Sequence, residues 1–230
     1  MRSHLHAERV AVQETDLGIY SAVSVAAAAR EAVMTQRGYL ERYIERYPDF
    51  LHTLHPWADD PLAPPIVRAM IAASSLAGVG PMAAVAGAVA EQVGRHLLQW
   101  SPEIIVENGG DIFFDLLRPL TIGVYAGPSP LSFKVGLRID PAQGLRAVCT
   151  SSGSVGHSLS LGKADAVCVL SASCALADAV ATALGNRVHT AADIQHGIEW
   201  AQRVPGVRGV LVVVGKALGA WGEVETVPLS

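Results

Sequence analysis

Asp178 and Thr182 stand four residues apart in Ala175 to Leu184, where every other side chain is apolar. On a helix that spacing sends both oxygens out of one face. A carboxylate and a hydroxyl so placed make half a site for a hard cation. Magnesium takes one or two carboxylates and completes its shell with water, hydroxyl or phosphate oxygen. A helix cap or a solvent-facing pair is the plainer reading of the segment taken alone.

Two glycine-rich segments carry the other candidates. In Glu107-Asn108-Gly109-Gly110-Asp111 the glycines admit positive φ and a close backbone approach to a ligand, and Asp111 can fix a hydroxyl, an amide or a metal-bound water. Asn-Gly is also the strongest short hairpin signal, so a simple turn competes with that reading. The run Cys149-Thr150-Ser151-Ser152-Gly153-Ser154-Val155-Gly156-His157-Ser158 offers hydroxyls and backbone N–H groups as a cradle for phosphate or carboxylate. It matches neither the phosphate loop ending in Gly-Lys-Ser nor the dinucleotide glycine fingerprint. His157 titrates near neutrality and is the candidate general acid or base, with a backbone-satisfied histidine as the alternative. Cys149 would act as a nucleophile only beside an electropositive group, and core packing is its plainer role.

These segments need elements to hold them. Arg9 to Val12 and Ile19 to Ala22 read as a hairpin around Thr15-Asp16-Leu17-Gly18. Val25 to Tyr47 reads as a long helix, with Leu40, Tyr43, Ile44 and Tyr47 on one side and Pro48 as its stop. The prolines between His52 and Pro65 predict an irregular connection to a short helix at Ile66 to Leu76. Between Arg68 and Glu91 lie 22 uncharged residues, long enough to span a membrane. Their Ala, Gly and Ser content and the break at Gly78-Val79-Gly80-Pro81 point instead to two buried elements joined by a turn. Pro81 suits the first position of a helix running to Gln99. Five short strands follow, at Glu103 to Val106, Asp111 to Leu116, Leu120 to Ala126, Phe133 to Ile139 and Leu145 to Thr150, close enough in sequence to pair antiparallel. A strand at Ala164 to Leu170, helices at Ala175 to Leu184 and Ala191 to Arg203, and strands at Val207 to Val214 and Ala220 to Val227 complete the pattern. The expectation is one α+β domain over residues 1–230, mostly antiparallel sheet packed against long helices.

Half of the 230 residues are hydrophobic, enough to bury a sizeable core. With 17 basic against 21 acidic residues and a net charge of -4, the chain has no field for nucleic acid. Three cysteines without metal-ligand spacing fit a reducing compartment. The first residues mix charge and histidine where an export signal needs an apolar run. A cytoplasmic protein with a small-molecule ligand is expected, engaging neither nucleic acid nor membrane, and its apolar content favours a homodimer.

Taken in order, Glu107-Asn108-Gly109-Gly110-Asp111-Ile112, Thr150-Ser151-Ser152-Gly153 and Ala177-Asp178-Ala179-Val180-Ala181-Thr182-Ala183, together with the glycine-led helix, resemble the ApbE-type flavin transferases. Those enzymes move FMN from FAD onto a protein hydroxyl. The similarity runs from about Gly78 to Gly185 and is closer to a shorter ApbE-like family whose members carry no assigned activity. It implies that Asp178 and Thr182 hold magnesium. It also implies that Asn108, Gly109, Gly110, Asp111, Thr150, Ser151, Ser152 and Gly153 line a site for FAD or another nucleotide diphosphate. Two departures accompany it. Met82-Ala83 stands where the transferases carry a lysine, and no carboxylate lies between Gly153 and Asp165, which leaves His157 to move the proton. The alternative implied by the resemblance is a non-catalytic ligand-binding or sulfur-metabolism accessory protein, with Cys149 beside the loop.

Overall fold

The computed structural model describes residues 5–152 and 162–229. Alternation of buried and open side chains sets the first hairpin. Thr15, Leu17 and Ile19 are buried along β2 (Thr15–Ser21), which pairs with β1 (His6–Val12) through Val12 opposite Thr15. The turn is therefore Gln13-Glu14 rather than the expected Thr15 to Gly18. Leu17 must stay in the core alternation, and that overrides the local Asp-Leu-Gly signal. Arg37 fixes the turn by donating to Thr15 Oγ1 (3.0 Å), to Glu14 Oε2 (2.6 Å) and to Gln13 Oε1.

The remaining strands are β3 (Ile104–Asn108), β4 (Asp111–Asp115), β5 (Leu120–Gly123), β6 (Val135–Ile139), β7 (Ala147–Ser151), β8 (Ala166–Ser171), β9 (Val207–Val214), β10 (Ala217–Gly222) and β11 (Glu225–Pro228). Among the described residues the strands form an eight-stranded sheet, ordered β1-β2-β3-β4-β7-β8-β9-β10, and a three-stranded sheet, ordered β11-β6-β5. Every pair is antiparallel. The single last strand expected at Ala220 to Val227 is two strands in different sheets. The chain changes sheet at Gly222, whose φ of +82° carries it away from β9.

The helices are α1 (Ala26–Arg46), α2 (Asp49–His52), α3 (Pro65–Ala77), α4 (Val85–Leu97), α5 (Cys174–Gly185) and α6 (Ile194–Ala201). Tight turns over Pro81–Ala84 and Ala191–Asp193 replace the expected first turns of α4 and α6. Helix α1 lies on β1, α4 on β3 and β4, α5 on β7 and β8, and α6 on β9 and β10, while α3 packs on the other helices. The small sheet covers the opposite face of the large one, so the fold is α+β in three layers. Burial from both sides explains why β8 and β9 lack polar alternation. Val167, Val169, Val210 and Val212 face the helices, and Ala166, Cys168, Leu170, Leu211 and Val213 face the small sheet.

The uncharged stretch is the expected pair of elements, bent by 105° between Pro65–Ala77 and Pro81–Leu97. Among the described residues no single helix is long and apolar enough to cross a membrane. The connection after α2 is held by rings: Trp57 meets Phe50 edge-on at 5.5 Å, and the Tyr43 hydroxyl donates to Asp60 Oδ2 at 3.0 Å.

Helices α4 and α5 touch through backbone at Gly87. A Cβ there would lie 2.4 Å from the Cys174 carbonyl oxygen and 2.8 Å from Asp178 Cβ, so no side chain fits. Gly87→Ala is expected to destabilise the fold by about 1–3 kcal/mol, the cost of overpacking a filled interface. Gly38→Ala in α1, whose nearest neighbour would be Arg42 at 3.6 Å, should instead be neutral or stabilising by up to about 1 kcal/mol. Urea midpoints of the two variants check the contrast.

Candidate functional site

The start of α5 is fixed from two sides. Ser173 Oγ accepts the Leu176 N–H at 3.3 Å, and Glu91 Oε2 on α4 accepts the Cys174 N–H at 2.8 Å. These bonds satisfy donors that a helix leaves open at its beginning. One turn on, Asp178 Oδ2 accepts the Gly87 N–H at 2.8 Å. The expected helical segment thus delivers Asp178 to the beginning of α4, with Thr182 four residues along α5.

The β3–β4 connection is the simple turn that the Asn-Gly signal predicts, and it also aims a carboxylate. Gly109 and Gly110 take φ of +64° and +112°, closing Asn108 onto Asp111. The Asn108 side-chain amide donates to the Ala86 carbonyl at 3.1 Å, tying the hairpin to α4 one residue before Gly87. Asp111, Asp178 and Thr182 consequently line one cleft of about 370 Å³. Leu51, Leu54, Val79, Met82 and Val85 form its apolar wall, and His52, Thr53 and Asn186 add polar groups.

Both carboxyls are buried, Asp111 at 8% and Asp178 at 9% exposure. Burial pushes Asp111 up to about 7, against the pull of the Cys149 thiol and the Thr150 backbone. Asp178 rises well above the ordinary carboxylate range, first through burial and then through repulsion by Asp111, against the Gly87 and Ala86 backbone. Among the described residues lining the cleft there is no lysine or arginine. A cation joining the pair would favour its second charge. Two carboxylates and a hydroxyl suit a hard cation whose other positions go to water or ligand oxygen. Among the described residues no cluster of three or more His, Cys, Asp or Glu is arranged for a metal, so the protein's share of such a shell is small.

The other predicted residues fall differently. Asn108 and Gly109 line a separate surface hollow with Glu8, Asp16 and Tyr20. Thr150 Oγ1 donates to Cys168 Sγ at 3.4 Å on the small-sheet side, so its hydroxyl is turned away from the helices, and only its backbone reaches Asp111. Gly110 sits at the turn against Thr150, and Ser151 ends β7. Ser152 is the last described residue of that run, and Gly153 and His157 lie outside the described residues.

Cys149 is fully buried, its Sγ 3.4 Å from the Cys174 carbonyl and 3.5 Å from Cys174 Sγ. Burial, followed by the contact with Cys174, pushes its thiol well above the ordinary range. That is the reverse of an activated nucleophile. Sequence reasoning missed His52 and Asn186, which have no motif. Their signal is spatial, since α2 is folded onto the 81–84 turn.

The three-layer fold, with a carboxylate on a Gly-Gly turn beside an Asp-x-x-x-Thr helix, defines an ApbE-type protein. The chain belongs to the family described as AbpE bacteria, whose model matches residues 2–213. It is 40% identical over 201 residues to the UPF0280 protein of Methanococcus aeolicus, covering 85% of this chain and 81% of that one. To the UPF0280 protein of Methanosphaerula palustris it is 45% identical over 201 residues, with the same coverage of 85% and 81%. Among solved structures, the apo flavinyl transferase ApbE of Pseudomonas stutzeri aligns with a TM-score of 0.62 at 15% identity, covering 95% of this chain and 94% of that one. The flavin transferase ApbE of Vibrio cholerae aligns with a TM-score of 0.62 at 14% identity, covering 95% and 96%. At such identities the likeness is one of fold.

The raised Asp111 carboxyl has a consequence for stability. From the ordinary value of 3.8 up to about 7 the folded chain keeps a proton that the unfolded chain has lost, so stability falls as pH rises through that window. Without metal, the melting temperature should therefore drop between pH 5 and pH 8, an interval spanning about 7. Asp111→Asn should reduce that slope, leaving the part that burial of Asp178 contributes, and melt higher than the wild type at the alkaline end. Melting curves across the range check it, and an unchanged slope in Asp111→Asn would locate the titration elsewhere.

Proposed function

We propose that the cleft binds a flavin dinucleotide together with magnesium and that the protein transfers or cleaves at the pyrophosphate. The observation that carries this reading is the pair of buried carboxyls, Asp111 and Asp178, sharing one cleft with the Thr182 hydroxyl and, among the described residues, no lysine or arginine. Asp178, Thr182 and Asp111 would hold the cation. Bound there, magnesium neutralises charge on phosphate oxygens. The wall of Leu51, Leu54, Val79, Met82 and Val85 is suited to a planar ring, because apolar surface removed from water favours binding. Family membership and the fold shared with proteins named flavin transferases support the choice of FAD.

In a transfer, an acceptor hydroxyl oxygen bonds to the flavin-side phosphorus, the pyrophosphate bond to the adenylate breaks, and AMP leaves. With water as acceptor the products are FMN and AMP. The hydroxyl proton needs a base, and among the described residues His52 is the titratable side chain on the cleft wall apart from the two aspartates. His157 remains the residue that the sequence suggests for the same step. The protein is proposed to be cytoplasmic and to act as a homodimer.

A non-catalytic ligand-binding protein is the second reading. It is favoured by Met82 and Ala83, which give the cleft an apolar lining where the transferases carry a lysine.

A thermal titration separates these outcomes. FAD with magnesium should raise the melting temperature more than either alone, since a ligand at 100 times its Kd adds about 2.7 kcal/mol. Asp178→Asn should remove the magnesium-dependent part and leave the protein folded. AMP appearing with the wild type and not with Asp178→Asn identifies an enzyme, while a shift without AMP identifies the binding protein. No shift at saturating FAD and magnesium would overturn the flavin reading.

A further inference from the structure

A second surface, independent of the carboxylate cleft, has the form of an incomplete sheet. Among the described residues β5 is the outer strand of the small sheet, and side chains of β2, β3 and β4 of the large sheet line the space beside it. Hydrogen bonding alternates along an antiparallel pair. The Val124 N–H donates to the Val135 carbonyl at 2.9 Å, and the same register sets Gly123 opposite Gly136, Ile122 opposite Leu137 and Thr121 opposite Arg138. The backbone groups of Leu120 and Ile122 therefore turn toward β6, and those of Thr121 and Gly123 turn toward the open edge. The side chains of Leu120 and Ile122 are half-buried, while Thr121 is exposed.

Between that edge and the large sheet lies a slot of about 340 Å³ lined by Leu5, Tyr20, Ile105 and Ile112, with Glu107 on the same rim. Among the described residues the Glu107 carboxylate has no hydrogen bond or ion pair. The neighbouring acids are engaged, Glu8 with Ser24, Glu14 with Arg37 and Asp16 with Arg9. Glu107 follows Ile105 by two positions on β3, about 7 Å along the strand, which is the spacing between same-side residues of an extended chain.

We propose that this edge binds an extended segment of a partner protein as a fourth strand of the small sheet. The segment would set an apolar side chain on Tyr20, Ile105 and Ile112 and a basic side chain two residues away against Glu107. Main-chain bonds to Thr121 and Gly123 supply affinity, and the slot and the carboxylate supply selection, as in other strand additions.

The probe is a fluorescein-labelled heptapeptide, TVTLTKT, titrated with the full chain and followed by anisotropy. Saturable binding is expected, weaker by about 5-fold for TVTLTET, the range of a single exposed ion pair. Glu107→Lys should invert that preference. Thr121→Pro removes an outward N–H while leaving the bonds to β6, and should abolish binding with an unchanged melting curve. Should Thr121→Pro fail to fold, the charge inversion at Glu107 still decides. No saturable binding, no inversion, or full affinity in a folded Thr121→Pro would overturn the proposal. So would binding seen only when the chain is shortened to begin at Leu5, because the chain's own start would then fill the slot.

Discussion

The bond from the Gly87 N–H to Asp178 Oδ2, at 2.8 Å, joins the helix layer to the carboxylate chemistry. It requires that α4 and α5 meet without a side chain between them, which only glycine allows at that position. The same turn of α4 receives the Asn108 amide, so the β3–β4 hairpin cannot shift without disturbing the helix contact. Asp111 and Asp178 are thus held together in a place where burial penalises both charges. A fold that keeps two such groups side by side keeps an unfavourable arrangement, and a cation is the partner that would relieve it.

The layering has a further effect on the site. Where the large sheet is covered on both faces, at β8 and β9, its side chains are almost all apolar and form a packed support. Polar chemistry is left to the strand ends and helix starts, where Asp111 and the beginning of α5 are found. Part of the cleft wall, Leu51 and Leu54, comes from the end of α2 and the connection after it, held by Phe50, Trp57 and Tyr43 rather than by a sheet. In the proposed reading, carboxyls facing a wall made partly from a connection would let a ligand's ring be selected separately from its phosphates.

Much of this was legible in the sequence because apolar periodicity reports burial. The long helix ended by Pro48, the broken uncharged stretch and the antiparallel run of short strands all follow from spacing and punctuation. The turn at Gln13-Glu14 was hidden because Asp-Leu-Gly is a stronger local signal than the alternation that keeps Leu17 inside. The division of the last strand was hidden as well, since sheet membership is decided by tertiary packing. At the site, the Asp178–Thr182 spacing and the Gly-Gly turn were readable, but the shared burial of Asp111 and Asp178 was not, because it depends on two helices and a hairpin meeting. Thr150 illustrates a signal left unused: strand alternation from the buried Cys149 already turns its hydroxyl to the opposite face.

The most direct measurement is anomalous diffraction from crystals grown with FAD and manganese in place of magnesium. A manganese peak bounded by Asp111, Asp178 and Thr182, with phosphate oxygens completing its shell, is the expected result. Ordered FAD with no metal at those residues, or manganese bound only elsewhere on the surface, would contradict the assignment of the carboxylate pair as a cation site.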